Sequence, residues 1–256
     1  MLAGFPLVEI QARPLASSFP YQEGVMKELW DQFERWLRDN WPDGLSDLNP
    51  PATDEEIEEL ERELGVRLPE DFIACLKVHN GQKNLAGGLF GNSEFLSTRE
   101  IFTQWKIWKS LLDSNDFQGF FSEPAPGIRN EWWNPRWIPF THNGGGDHLC
   151  LDLDTASEGN SGQVITMWHD MGTREIQGVS FQSWFAGYVK AVLAGQYAYS
   201  DDYGGLVEVN ITLPNCPPKR PISDQNSAFS KSKTLINSGF FSRFFQGTVY
   251  LFRPHK

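Results

Sequence analysis

The stretch HNGGGDHLCLDLD, His142 to Asp154, is the part of the sequence richest in groups able to act on a substrate. Strand alternation places Leu149, Leu151 and Leu153 on one face and His148, Cys150, Asp152 and Asp154 on the other. Two carboxylates, an imidazole and a thiol on one face could bind a divalent metal or perform acid–base work. One reading is therefore a metal-dependent hydrolase or nuclease centred on Asp147, His148, Asp152 and Asp154. The same alternation arises for architectural reasons alone in an antiparallel strand with one solvated face, and this is the reading we prefer.

Other candidate chemistry is thinner. His142, His148 and His169 lack the HxxxH or CxxC spacing that presets a tetrahedral zinc site. Gly144-Gly145-Gly146 has no following Lys-Ser/Thr and no GxGxxG context, so it reads as a tight turn, not a phosphate loop. A GxSxG elbow and a cysteine-protease signature are both missing. We expect no catalytic residues, no cofactor and no metal. Most of the ten tryptophans read first as core packing, but aromatic anchors at an acidic rim also suit a protein-binding surface. The candidate contact set is Trp132 and Trp133, in a loop; Trp168, His169 and Asp170, closing a strand; and Asp147, Asp152, Asp154, Asp201 and Asp202.

The elements that must position these residues are legible from periodicity. Met26, Leu29, Trp30, Phe33, Trp36 and Leu37 recur at spacings of three and four, which predicts a helix from Val25 to about Asn40. Thr53 with Glu56 forms a capping box, Ile57, Leu60 and Leu64 the buried stripe behind it, and Gly65 the expected left-handed cap. Asp54 to Glu63 holds seven acidic residues in ten, which reads foremost as a solvated helix face. Pro69 opens a helix carrying Phe72, Ile73 and Leu76. Ser97 and Glu100 make a second box ahead of Ile101, Trp105 and Trp108. Residues 113–136 read as a loop lying across the surface. Strands are expected at 137–141, 148–153, 163–168 and 174–177, as an antiparallel meander, and Ser180 caps a last amphipathic helix ending at Gly195. Helices, then strands, then a helix give an α+β class, a mostly antiparallel sheet packed against several helices.

Composition fits this picture. The chain has 256 residues, 40% of them apolar, and three cysteines too scattered for a disulfide framework, so a reducing cytoplasm is the expected location. It shows neither a membrane span nor a signal peptide. A net charge of −11 argues against direct nucleic-acid binding. Residues 1–205 hold 15 Lys and Arg against 31 Asp and Glu, whereas residues 206–256 hold 7 against 2. We therefore divide the chain into a lead-in at 1–24, a domain at 25–205 and a basic extension at 206–256. The extension carries PNCPPKRP and FFSRFFQGTVYLF, and is expected to dock on the domain.

Several segments together resemble one family. In order they are WLRDNWPDGLSDLNPPATDEEIEELERELGVRLPEDF, HNGQ, GLFGNSEFLSTREI, WWNPRWIPF, GGGDHLCLDLD, GQVITMWHD and SFQSWFAGYVKAVLAGQY. From about Trp30 to Tyr203 the chain resembles the SUKH superfamily, in its Smi/Knr-type branch of cell-wall assembly regulators. The resemblance implies an α+β fold without catalytic activity. It also implies one of two modes of action. The first is an immunity protein that binds and neutralises a cognate toxin, a nuclease or deaminase with a basic surface. The alternative is a regulatory scaffold in cell-wall signalling. The charge favours the first expectation, because opposite charge speeds association with a basic partner. The basic extension lies outside the resemblance.

Overall fold

A computed structural model describes residues 19–209. Six helices and ten short strands follow one another: α1 Phe19–Asn40, α2 Pro42–Asp47, α3 Asp54–Leu64, α4 Glu70–Leu76, β1 Glu94–Phe95, α5 Thr98–Asp113, β2 Glu123–Pro124, β3 Trp137–Pro139, β4 Thr141–His142, β5 His148–Asp152, β6 Gln163–Met167, β7 Thr173–Arg174, β8 Ile176–Gly178, α6 Phe181–Leu193, β9 Tyr197–Ser200 and β10 Gly205–Glu208. The central sheet has the order β3-β5-β6-β8, with every pair antiparallel. The class is α+β.

Local signals set the helices. Glu56 N–H donates to Thr53 Oγ1 (3.2 Å) while Thr53 N–H donates to Glu56 Oε2 (2.8 Å), closing the capping box of α3. Ser97 and Glu100 do the same for α5. Gly65 takes φ +66° at the α3 C-terminus, the left-handed cap that a side chain would strain. Helix α1 starts at Phe19, six residues before the expected start and inside the predicted lead-in. Proline is tolerated in a first turn, so Pro20 does not stop it.

The sheet lies between two hydrophobic clusters, and here the expectation changes. On one face Ile138, Phe140, Leu151 and Val164 join Met26, Trp30, Phe33 and Leu37 of α1, the buried run Phe72–Leu76 of α4, and Phe181, Phe185 and Val189 of α6. The Trp30 and Phe185 ring centroids are 4.9 Å apart, as are those of Phe72 and Phe181. On the other face Trp137, Cys150, Ile165 and Met167 are covered by Trp108 of α5 and by Ile128, Trp132 and Trp133. Those last three come from residues 113–136, a segment largely exposed as expected along 113–121 that then turns Ile128, Trp132 and Trp133 inward as the lid of a second core. The polar-looking side of β5 is therefore buried as well.

Hairpin β9–β10 crosses the expected boundary at residue 205, since Leu206, Val207 and Glu208 pair with Tyr199, Ala198 and Tyr197. The rest of the basic extension, including PNCPPKRP and FFSRFFQGTVYLF, lies outside the described residues.

Candidate functional site

Antiparallel pairing of β5 with β6 sets His148 opposite Met167, so Asp147 and the segment Trp168–Asp170 meet at one end of the sheet. Asp147 Oδ1 accepts from the His169 backbone N–H (2.9 Å) and from His169 Nδ1–H (2.9 Å), and its Oδ2 accepts from Asn143 Nδ2 (2.7 Å). Burial works against its charge, but these donors outweigh burial and hold the carboxyl below the usual range. Asp147, His169 and Asp170 offer ligand atoms within 4.8 Å of one another. Within this group Asp147 and His169 are hydrogen-bonded to each other.

His148 is spent on architecture. Its ring is 2% exposed. Trp108 Nε1–H donates to its Nε2 (3.1 Å), and its Nδ1–H donates to the Thr141 carbonyl (2.6 Å). Burial first, then the neighbouring His142 ring stacked at 5.1 Å, push its pKa down to about 3. Such an imidazole stays neutral and cannot accept a proton near neutral pH.

Asp152 sits at the far end of β5, four residues and about 13 Å along the strand from His148. It has no exposed surface; Gln163 Nε2–H donates to Oδ2 (2.9 Å), the Asp154 N–H donates to Oδ1 (3.0 Å), and burial raises its pKa. Asp154 pairs with Arg129 at 2.9 Å and accepts from Asn134 Nδ2 (3.1 Å). The hydrolase constellation of Asp147, His148, Asp152 and Asp154 therefore does not assemble.

Of the contact set, Trp168 and His169 are half-buried and Asp170 is exposed at the same end of the sheet as Asp147. Asp201 and Asp202 are exposed in the β9–β10 turn, at the opposite end of that hairpin from Tyr197. Trp132 and Trp133 lie inside the second core, where Trp132 packs over the Arg174 guanidinium at 5.2 Å and Trp133 stacks with Trp108. As anchors for a partner they, like Asp152, are closed off in this structure. The tryptophan pair is interior because the layer behind the sheet needs large rings to fill it.

Next to Asp147 opens a cleft of about 190 Å³, lined by the rings of Phe90, Trp168, Trp184, Tyr188 and Tyr197, with Gln177 of β8 on its wall. Tyr188 Oη–H donates to the Leu89 carbonyl (2.8 Å), which fixes its ring with the polar end satisfied. Sequence reasoning assigns the α6 rings to the core and Gln177 to the end of a strand, and gives neither Gln177 nor Phe90 a place in a binding site, because the cleft is assembled from separate elements. A larger cleft of about 430 Å³ runs between α3 and α5, walled by Glu56, Glu59, Glu63 and Arg99, and is where the acidic run meets solvent.

Comparison with known proteins gives a consistent outcome. Residues 51–187, more than half of the chain, match the SMI1 / KNR4 family (SUKH-1). A glucan synthesis regulatory protein of Neurospora crassa is 27% identical over 238 residues, covering 78% of this chain and 44% of the relative. Cell wall assembly regulator SMI1 of Saccharomyces cerevisiae is 22% identical over 218 residues, covering 70% and 43%. F-box only protein 3 of Homo sapiens is 26% identical over 184 residues, covering 68% and 36%. The chain thus spans less than half the length of these relatives. No helix among the described residues is long and apolar enough to cross a membrane.

Proposed function

The chain belongs to the SMI1 / KNR4 family (SUKH-1), and from that premise we propose that it is a non-catalytic regulatory module that acts by binding other proteins in the control of cell-wall or glucan synthesis. The observation that carries this reading is the naming of its relatives as a glucan synthesis regulatory protein and a cell wall assembly regulator. The geometry agrees: the groups with the most catalytic promise are pinned neutral, buried or paired. The regulatory reading stands ahead of toxin neutralisation, since relatives named as regulators support the former. The acidic balance of residues 1–205 suits a partner with a basic surface in either case. We place the module in the cytoplasm, in keeping with the free, buried thiols of Cys75 and Cys150.

Two measurements in the source cell test the reading. Deleting the gene should alter wall glucan content and sensitivity to wall-directed stress. Affinity capture of the full chain should recover proteins of the wall-synthesis machinery. A deletion strain with an unchanged wall, together with capture of a toxin domain, would sink the regulatory reading and reinstate the immunity one.

A further inference from the structure

We propose that the outer edge of β8 and the aromatic cleft beside it form one docking site for an extended, cationic segment of a partner protein, added as a strand to the central sheet. The inference rests on the protein-binding reading above and gives it a surface and a ligand chemistry.

Strand β8 is the last in the order β3-β5-β6-β8. Just upstream, β7 is covered on its outer side by β2, which pairs with it in parallel at Glu123–Thr173 and Pro124–Arg174. From Ile176 to Gly178 that cover has ended, and among the described residues no strand pairs on the outer side. The Thr166 N–H donates to the Glu175 carbonyl (3.0 Å), so Glu175 faces β6. Strand alternation then turns the Ile176 N–H and C=O outward. An edge of this kind is normally blunted by a charge, a proline or a covering loop. The β6–β8 pairing carries a register shift at Val164/Ile165 and the exposed Glu175 adjoins the edge, yet Ile176 at 37% exposed and Val179 at 59% leave an apolar stretch without proline.

The edge leads into the cleft. Gln177 lines it, and Gly178 lies so close to Trp184 that a Cβ would come within 2.7 Å of the Trp184 Cβ. A strand laid along β8 would thus place alternate side chains beside the rings of Trp168 and Trp184. Charge selects the occupant. Beside the edge in the chain the one cation is Arg174, fully buried, whereas the acidic Asp170 and Glu175 are exposed. A second copy of this chain would bring like charge to the edge, whereas a segment alternating Lys or Arg with apolar residues complements both the edge and its rim.

The test uses the full chain and fluorescently labelled, end-blocked hexapeptides alternating Lys with Val or Glu with Val, measured by anisotropy. The Lys peptide should bind at least about tenfold more tightly than the Glu peptide. Ile176→Pro, which removes an outward donor and leaves the ladder to β6, should weaken it by about tenfold, and so should Asp170→Lys. Should Ile176→Pro fail to fold, a backbone N-methylated Lys peptide against the unaltered protein asks the same question and should not bind. Failure of the Lys peptide to bind, equal binding of the two peptides, or indifference to both the proline and N-methylation overturns the strand-addition site. None of these results touches the regulatory reading, which stands or falls on the wall phenotype and the captured partners.

Discussion

His148 shows how far a titratable side chain can be diverted from chemistry. Held between the Trp108 indole and the Thr141 carbonyl, it has a pKa of about 3 in the folded chain against 6.5 when unconstrained. The folded value is the lower one, so as pH falls through 6.5 the unfolded chain takes up a proton that the folded chain refuses. Stability is then lost down to about pH 3, at up to about 1.4 kcal/mol per pH unit from this group alone. Asp152 acts in the opposite sense: burial raises its folded pKa, so it is protonated more readily folded than unfolded and costs stability as pH rises above its unfolded value. His148 shares its window with His142, which burial also holds below its ordinary pKa, so only a variant assigns the slope to one ring. Chemical unfolding of the wild type should show a midpoint that falls between pH 7 and 5. His148→Gln should be less stable at pH 7 by about 1–3 kcal/mol, through the unpaired partners it leaves, and should show a flatter midpoint over that range. An equal slope in the two proteins would exclude His148 as the source.

Capping acts one level up, where a few side chains decide whether a whole helix forms. Thr53→Ala removes one side of the α3 box and should cost about 1 kcal/mol, whereas Gly65→Ala at φ +66° should cost a comparable amount through backbone strain; thermal unfolding of the two single variants and the pair would show near-additive losses, as the sites sit at opposite ends of α3. Features of this local kind are the ones legible in the sequence: the two capping boxes, the α1 stripe, the α6 rings and the antiparallel run of strands all depend on residues within one or two turns of each other. What stayed hidden depends on distant partners. Alternation in His148–Asp152 fits a half-solvated strand equally well, and only Trp108, Trp132 and Trp133, arriving from other segments, make it a buried one. Arg174 binds that cover down, donating to the Trp132 carbonyl (2.9 Å) 42 residues away and to the Thr173 carbonyl (2.8 Å). Similarly, the Asp71 carboxylate of α4 accepts from the Gln182 N–H (2.8 Å) in the first turn of α6. The candidate cleft belongs to the same class, since Phe90, Trp168 and Tyr197 come from three other segments to meet Trp184 and Tyr188 of α6, and only that α6 pair shares a helical spacing. Asp147, Trp168, His169 and Asp170 were within reach because the turn clusters on either side of β5 and β6 imply a hairpin, which brings their ends together.

Charge is a property of the whole molecule, and it converts the binding reading into kinetics. An excess of acidic over basic side chains across residues 1–205 raises the local concentration of a cationic partner before contact is made. The Debye length is about 10 Å at 0.1 M salt, so steering should fade with added salt while short-range contacts persist. With a captured partner in hand, raising salt from about 50 to about 500 mM should slow association by roughly tenfold or more, with a smaller change in dissociation. The exposed carboxylates divide this effect by position. Asp170→Lys, beside the cleft, should depress both the association rate and its salt dependence, whereas Asp202→Lys, in the β9–β10 turn away from Tyr197, should slow association less. Asp152→Lys is uninformative about binding, because a cation forced into a site with no exposed surface would destabilise the fold itself. An association rate indifferent to salt, or equally sensitive to the two exposed reversals, would mean that the acidic surface serves solubility and that the partner is recognised by shape and apolar contact alone.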